Sequence, residues 1–415
     1  MKSIFIRNFY MKKIAFAFVI IAIFWSCRKE TNDPFSYSSI RIIPTESEPK
    51  QVRLIASAQE NILVYVSSGN IQSPAAPQEV FMLNRHAEKI KTIYLSDTVY
   101  QYLNAVPGLD GGFLICGSSD GYGYFALFHI DDEGNVSKLR DFVYAGGTNK
   151  NEPFLAVFGH EYIVMYYAVG YGFYCWKGDM QCNDVFNKKI PVPNAFHSSL
   201  GLNFGEKTER LLCVNDTLII IQGITYDQYA SELIENCFLR SIDENITKKW
   251  YSSNFDSTKN ESAAGLFITV DDKVVLFGTK TSSTVFQGYG EVFLRQYTLE
   301  GVFKNEIVYP KVGGTPNRIF KAIQSPDGGF LLTGANNQLS ANDLVSPNKI
   351  ILIKLNGDLS VAWTKTISTS FPSKGFDICY QNDGTISLIG LMKDNYSTNK
   401  LIYMHLYSTG DVINN

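Results

Sequence analysis

Apolar residues recur along the chain in short runs, each opened by a polar turn and closed by a glycine. Leu109-Asp110-Gly111-Gly112-Phe113-Leu114-Ile115-Cys116-Gly117 is matched by Pro326-Asp327-Gly328-Gly329-Phe330-Leu331-Leu332-Thr333-Gly334. Weaker copies run over Asp271–Gly278, Asn382–Gly390 and Asn215–Gly223, and degenerate ones over Glu60–Gly69 and His160–Gly170. An apolar run bounded by turn residues reads as a strand. The closing glycines stand at 69, 117, 170, 223, 278, 334 and 390, with successive spacings of 48, 53, 53, 55, 56 and 56. A period held over the whole chain marks a repeat architecture.

A further strand follows each glycine after a loop of variable length: Glu79–Leu83, Tyr124–Ile130, Asn236–Ile242, Glu291–Tyr297, Lys349–Leu355 and Lys400–Tyr407. Most of these end in a short turn with glycine (Gly134, Gly301, Gly357, Gly410), and another strand then begins, as in Leu359–Ile367 with Trp363 or Ile246–Ser252 with Trp250. A preceding strand, such as Phe320–Gln324 or Leu266–Val270, brings each unit to four strands. One antiparallel four-stranded sheet exposes both faces. Stacking seven around an axis buries them and removes the free ends. The pattern predicts an all-β, seven-bladed β-propeller over 38–415. The seventh unit reaches Asn415 without its fourth strand, and Ser38–Pro44 is expected to supply it from the other end.

Composition narrows the class. The 415 residues are 45% hydrophobic and 19% charged, which excludes a disordered chain and a multi-span membrane protein. The 28 Phe, 24 Tyr and 32 Gly suit strands and turns.

The N-terminus reads as a targeting segment. Lys12 and Lys13 precede the apolar run Ile14–Trp25, too short for a membrane span and right for the core of a signal peptide. Ser26-Cys27 and a polar stretch follow. This resembles a bacterial lipoprotein signal, which implies removal of 1–26, lipidation of Cys27 and a tether over 27–37. An uncleaved anchor or an ordinary signal peptide is the alternative. Removing 1–26 takes the formal charge from -3 to -7, because the segment holds Lys2, Arg7, Lys12 and Lys13 and no acid. A mildly acidic body without a basic cluster argues against nucleic acid and against electrostatic binding to anionic lipid; acyl chains would hold it to a membrane instead.

The repeat itself resembles a family. Asp327-Gly328-Gly329-Phe330-Leu331-Leu332-Thr333-Gly334, then Ile351-Leu352-Ile353-Lys354-Leu355-Asn356-Gly357-Asp358-Leu359, then Trp363-Thr364-Lys365, is similar to repeats of bacterial secreted and lipoprotein β-propellers. The resemblance implies the fold and a place in the cell envelope, the outer membrane first. It carries no catalytic residues across.

Candidate chemistry is sparse. Cys175 and Cys182 flank a turn and are a candidate disulfide. Cys213 and Cys379 fall where other units place Val106, Ile268 and Ile323, and are expected as buried thiols, while Cys116 and Cys237 sit within strands. With no Cys-x-x-Cys, no metal site is expected, and no cofactor. His129 and His405 share a repeat slot with Gln296, Ser241 and Lys354, which reads as the polar face of a strand. Gly-Tyr-Gly occurs at 121–123, 170–172 and 288–290 without a following helix, so it is loop and not a phosphate cradle.

One asymmetry points to function. The turns after the first and third strands are short. The connections after the second and fourth are long, as over Ser67–Gln78, Pro193–Lys207, Gly223–Glu235, Gly278–Gly290 and Gly334–Asn348. Long loops on a rigid scaffold collect binding residues. These hold Tyr122, Tyr171, Tyr226, Tyr229, Phe286, Tyr289 and Tyr396, aromatics that could stack on sugar rings or cover a protein surface. The leading expectation is a monomeric, non-enzymatic binding or scaffold propeller whose partner is an envelope protein or a glycan. The rival is a glycan-active hydrolase or lyase drawing on Asp120, Asp227, Glu232, Asp343 or Asp394, whose spacing pairs none of them.

Overall fold

The computed structural model describes residues 40–413, apart from 47, 50, 57–60, 68–77, 85, 96–99, 110, 120–123, 144–153, 169–171, 191–206, 215–217, 230–231, 244, 246, 253–258, 283–289, 313–314, 337–348 and 396–397. Cys27, the segment 1–26 and the tether 27–37 lie outside the described residues.

The described strands form seven antiparallel four-stranded sheets. Blade 1 spans 51–93, blade 2 100–143, blade 3 154–190, blade 4 207–252, blade 5 259–309 and blade 6 317–367. Blade 7 takes three strands from 373–406 and its outer strand from Ile40–Ile43. That strand pairs with Asn399–Leu406, from Ile40 opposite Met404 to Ile43 opposite Leu401, as the terminal strand pattern predicted. The first strand of every blade touches the first strand of the next, and blade 7 touches blade 1, so the ring closes with the first strands innermost.

Strand alternation builds the core. Phe113 and Ile115 pack with blade 1 side chains such as Leu63 and Met82, while Leu114 and Cys116 pack with blade 3 residues such as Tyr162 and Trp176. Successive residues thus serve opposite interfaces, which is why these strands read as unbroken apolar runs.

The closing glycines of blades 4 to 7 have a shared cause. The inner strands of blades 4 to 7 carry a register shift, at Thr208/Arg210, Ala263/Gly265, Ile319/Lys321 and Gly375/Asp377. In each, the closing glycine pairs with the residue just before the bulge: Gly223 with Thr208, Gly278 with Ala263, Gly334 with Ile319, Gly390 with Gly375. The bulge pushes an inner-strand carbonyl toward it. A Cβ on Gly334 would lie 1.9 Å from the Arg318 oxygen, and one on Gly390 2.2 Å from that of Lys374. In blades 4 to 7 the period seen in sequence is therefore the period of a β-bulge, a feature that the first strand pairs of blades 1 and 3 do not show among the described residues.

Blades are latched through their outer strands. Lys91 of blade 1 donates to Asn135 of blade 2 (2.9 Å), and Arg140 of blade 2 to the Cys182 carbonyl of blade 3 (3.1 Å). The Trp250 indole donates to the Leu299 carbonyl (2.6 Å) across blades 4 and 5, and the Tyr309 hydroxyl to that of Leu359 (3.1 Å) across blades 5 and 6. Lys365 reaches Asp411 across blades 6 and 7. Each latch lands on the third turn of the following blade. That turn needs a left-handed residue: Gly134, Gly301, Leu359 and Gly410 have φ of 76, 80, 70 and 80°. At Gly301 and Gly410 the turn also lies flat against Trp250 and Trp363, with room for no Cβ.

Candidate functional site

The two faces of the ring differ in kind. Most described turns after the first and third strands form one repeated motif, in which residue i donates to the carbonyl of i+4 and accepts from the N–H of i+3, as at Asp131–Asn135, Ser325–Gly329, Asn356–Ser360 and Gln381–Thr385, while the first turn of blade 3 is a two-residue hairpin between Phe158 and Glu161. The shared His slot belongs to this face. His129 Nε2 lies 3.1 Å from the Gly111 carbonyl, His405 Nε2 2.7 Å from Thr385 Oγ1, and Lys354 donates to Asp327 at 2.7 Å. At these three positions the slot braces the third strand to the first turn of its own blade, a structural task and not a solvated face, whereas the Ser241 hydroxyl is buried without such a bond. Burial pushes Asp327 up, but Lys354, Ser325 and the Gly329 N–H outweigh it and hold the carboxyl down at about 2.

The opposite face carries the longer connections, and the predicted site residues fall there unevenly. Tyr122, Tyr171, Tyr289, Tyr396, Phe286, Asp120 and Asp343 lie outside the described residues. Tyr226, Tyr229, Asp227 and Glu232 are described in their backbone path, and it corrects the expected loop over Gly223–Glu235. The second and third strands of blade 4, Leu218–Tyr229 and Glu232–Asp243, run 12 residues each and stay paired out to Tyr229 opposite Glu232. The corresponding strands have eight and seven residues in blade 3 and ten and eight in blade 5, so this hairpin is longer than those on either side. The segment Ile224-Thr225-Tyr226-Asp227-Gln228-Tyr229 is rich in β-branched and aromatic residues, which keeps the ladder going. The loop expected from Gly334 likewise begins later, since the strand continues to Asn336.

Two inner-strand residues that pattern reading passed over meet between blades 6 and 7. Phe320 and Phe376 occupy the bulges of blades 6 and 7 and stack with centroids 4.8 Å apart and planes 20° apart. The Arg318 guanidinium lies over Phe320 at 5.1 Å. Lys374 takes the same repeat position one blade on, and Lys393 ends the adjacent strand, its N–H donating to the Pro372 carbonyl (2.9 Å). Burial first, then Arg318 and Lys393, push the Lys374 ammonium below its ordinary range. The signal was present: Arg318 and Lys374, and Phe320 and Phe376, are each 56 residues apart, the spacing of Gly334 and Gly390.

Of the five candidate acids only Asp394 has a described side chain, and an acid pair outside that set lies in blade 5. Glu261 and Glu306 flank Arg295 within blade 5. Arg295 donates to Glu261 Oε2 at 2.9 Å and to Glu306 Oε2 at 2.8 Å, and the Cys237 N–H adds a bond to Glu261 at 3.2 Å. The Glu261 side chain is 0% exposed, so no substrate reaches it. Burial raises Glu261 above the usual carboxylate range against the pull of Arg295. Asp394 caps a turn through the Thr398 N–H (2.9 Å) and faces Lys400 at 3.6 Å.

Cys175 and Cys182 are both free and buried, not bridged. Cys175 neighbours Trp176, so the two side chains face opposite sides of the blade, and Cys182 packs on the Trp176 side among Cys116, Leu114 and Phe142. Cross-strand pairing sets Cys175 opposite Lys188, away from the turn. Cys379 lies on the inner strand as expected but is half-buried, and desolvation raises its thiol. Among the described residues, no group of three or more His, Cys, Asp or Glu gathers as a metal site.

No protein-family model and no curated protein matches the chain. Solved structures do. The NanB sialidase from Streptococcus pneumoniae aligns at 11% identity and a TM-score of 0.48, covering 92% of this chain and 72% of that one. The WD40 domain of Toxoplasma gondii coronin aligns at 9% identity and 0.48, covering 92% and 90%. A putative 6-phosphogluconolactonase from Bacteroides fragilis aligns at 12% and 0.45, covering 88% and 98%.

Proposed function

We propose that the protein is an envelope lipoprotein whose propeller binds or scaffolds a partner, protein or glycan, through the face of the longer connections. Cys27 carries the lipid, 27–37 is the tether, and the ring is the working body. One observation supports this reading above the rest. The short-turn face is spent on a single repeated turn motif and its braces, whereas the other face varies from blade to blade and bears the extended hairpin ending at Tyr229 and Glu232. Variation confined to one face of a rigid scaffold is how a common fold acquires a particular partner.

The test is a binding screen with 28–415, which keeps every strand of the ring, against envelope glycans and envelope proteins, with each bound glycan assayed for new reducing ends. Saturable binding without cleavage is the expected result; cleavage would replace the reading with the hydrolase. Separately, Cys27→Ser is expected to move the exported protein from the membrane fraction to the soluble one.

A further inference from the structure

We infer that the rim of the ring at blades 6 and 7 is a membrane-contact surface, and that the bilayer it meets is the one holding the lipid on Cys27. The inference rests on the lipid-anchor reading, and it adds the side on which the ring lies against the membrane.

Three observations meet at this sector. The first is where the ring begins. Ile40 enters as the outer strand of blade 7, opposite Met404. The other end of the ring lies along the same strand: Val412 bridges to Leu406, and the Ile413 N–H donates to the His405 carbonyl (2.8 Å). The connection to Cys27 therefore leaves from the rim of blade 7. Residues 28–39 reach at most about 40 Å when fully extended, so this sector is held within that distance of the bilayer. The second is charge. The outer strands of blades 1 to 5 each carry two or three charged residues, such as Lys138, Arg140 and Asp141 in blade 2. Val361–Ile367 of blade 6 carries Lys365 alone, and Ile40–Ile43 carries Arg41 alone. Lys365 is neutralised by Asp411 of blade 7. The third is exposed apolar surface: Ile42, Val361 and Tyr407 are 56, 40 and 52% exposed. Ala362, Thr364, Ser408 and Thr409 between them are exposed and uncharged. The sector is continuous, because the third turn of blade 7 packs on the outer strand of blade 6, where a Cβ on Gly410 would lie 2.6 Å from Trp363. Valine and isoleucine side chains enter the acyl boundary, and tyrosine suits the headgroup level. So small a patch binds weakly from solution, but a tether makes the contact intramolecular, at an effective concentration of about millimolar. The flat short-turn face suits a membrane less well, since turns holding Asp131, Asp132, Asp271 and Asp272 are repelled by anionic headgroups. Contact by the rim leaves the long-connection face open to its partner.

The experiment places the processed chain, extracted from the membrane fraction, in vesicles of phosphatidylethanolamine and phosphatidylglycerol with brominated acyl chains. A bimane label on Thr364→Cys or on Ser408→Cys reports the rim of blades 6 and 7. The same label on Val185→Cys, at a position 47% exposed on the outer strand of blade 3, reports the far side of the ring. The parent chain gives the labelling background, and intact mass reports acylation of Cys27. Quenching at 364 and 408 with none at 185 is the expected result. Ile42→Asp with Val361→Asp is expected to abolish that quenching, with acyl mass and melting temperature unchanged. Quenching equal at the three positions, greatest at 185, or absent from all three in an acylated chain would overturn the rim contact and leave the anchor standing. Quenching that persists in the Ile42/Val361 double variant would overturn the apolar contact. A membrane-fraction chain without acyl mass would overturn the anchor reading, and this inference with it.

Discussion

Glycine is where sequence and backbone meet most directly in this protein. Gly334 lies opposite a bulge whose carbonyl leaves no room for a Cβ, whereas Gly384 has φ of +81° and nothing within 4 Å. Gly384→Ala therefore carries only the left-handed strain, about 1 kcal/mol. Gly334→Ala must also move backbone, and is expected to cost about 3 kcal/mol. Urea unfolding of both variants checks the ordering; equal losses would mean the bulge is not what demands the glycine. Asp327 gives a pH signature. Its folded pKa lies below the unfolded value, so its contribution is present above about pH 4 and is lost as pH falls through about 2. Because the side chain is 62% exposed, the effect of Asp327→Asn is expected to be below about 1 kcal/mol at neutral pH. The difference from the parent should vanish near pH 2 in acid-unfolding curves.

At the scale of elements, the strand that closes the ring is the one most exposed to test. Ile40–Ile43 completes blade 7, Ile43 joins the apolar cluster shared with Ala87, Ile62 and Leu401, and the Glu46 N–H is held by Glu79 of blade 1 at 3.0 Å. Ile43→Ala is expected to cost about 2 to 4 kcal/mol, and deletion of 28–45 to lower the melting temperature by more than the point variant. An unchanged melting temperature on deletion would contradict closure by this strand. This element was legible because seven apolar runs left one blade a strand short. The blade 4 hairpin was not legible as a hairpin. Gly223 has the same place as Gly117, Gly278, Gly334 and Gly390, past which strands run on by only two to four residues, and only the strand pairing shows this ladder continuing to Tyr229. The Cys175–Cys182 pairing failed for a related reason: sequence spacing gives proximity along the chain, while the face of the sheet decides which side chains meet. The inner-strand cluster at Arg318 and Lys374 escaped because a bulge breaks the alternation from which inward and outward positions are read.

For the whole molecule, the ring divides labour between its faces. One face holds mostly one repeated turn among the described residues, and the other holds the connections that differ most between blades. The fold followed from periodicity, a property of the entire chain; the site depends on connections that follow no period, and so periodicity does not predict it. The central claim is that partners engage the long-connection face. The most direct measurement is binding of 28–415 to its strongest partner from the envelope screen, before and after Tyr122, Tyr171 and Tyr289 are changed together to alanine, beside a matched triple change at Val270, Val302 and Tyr407 on the short-turn face. Loss of binding in the first variant, with binding intact in the second, is the predicted result. Unchanged binding in the first, or loss only in the second, would contradict it.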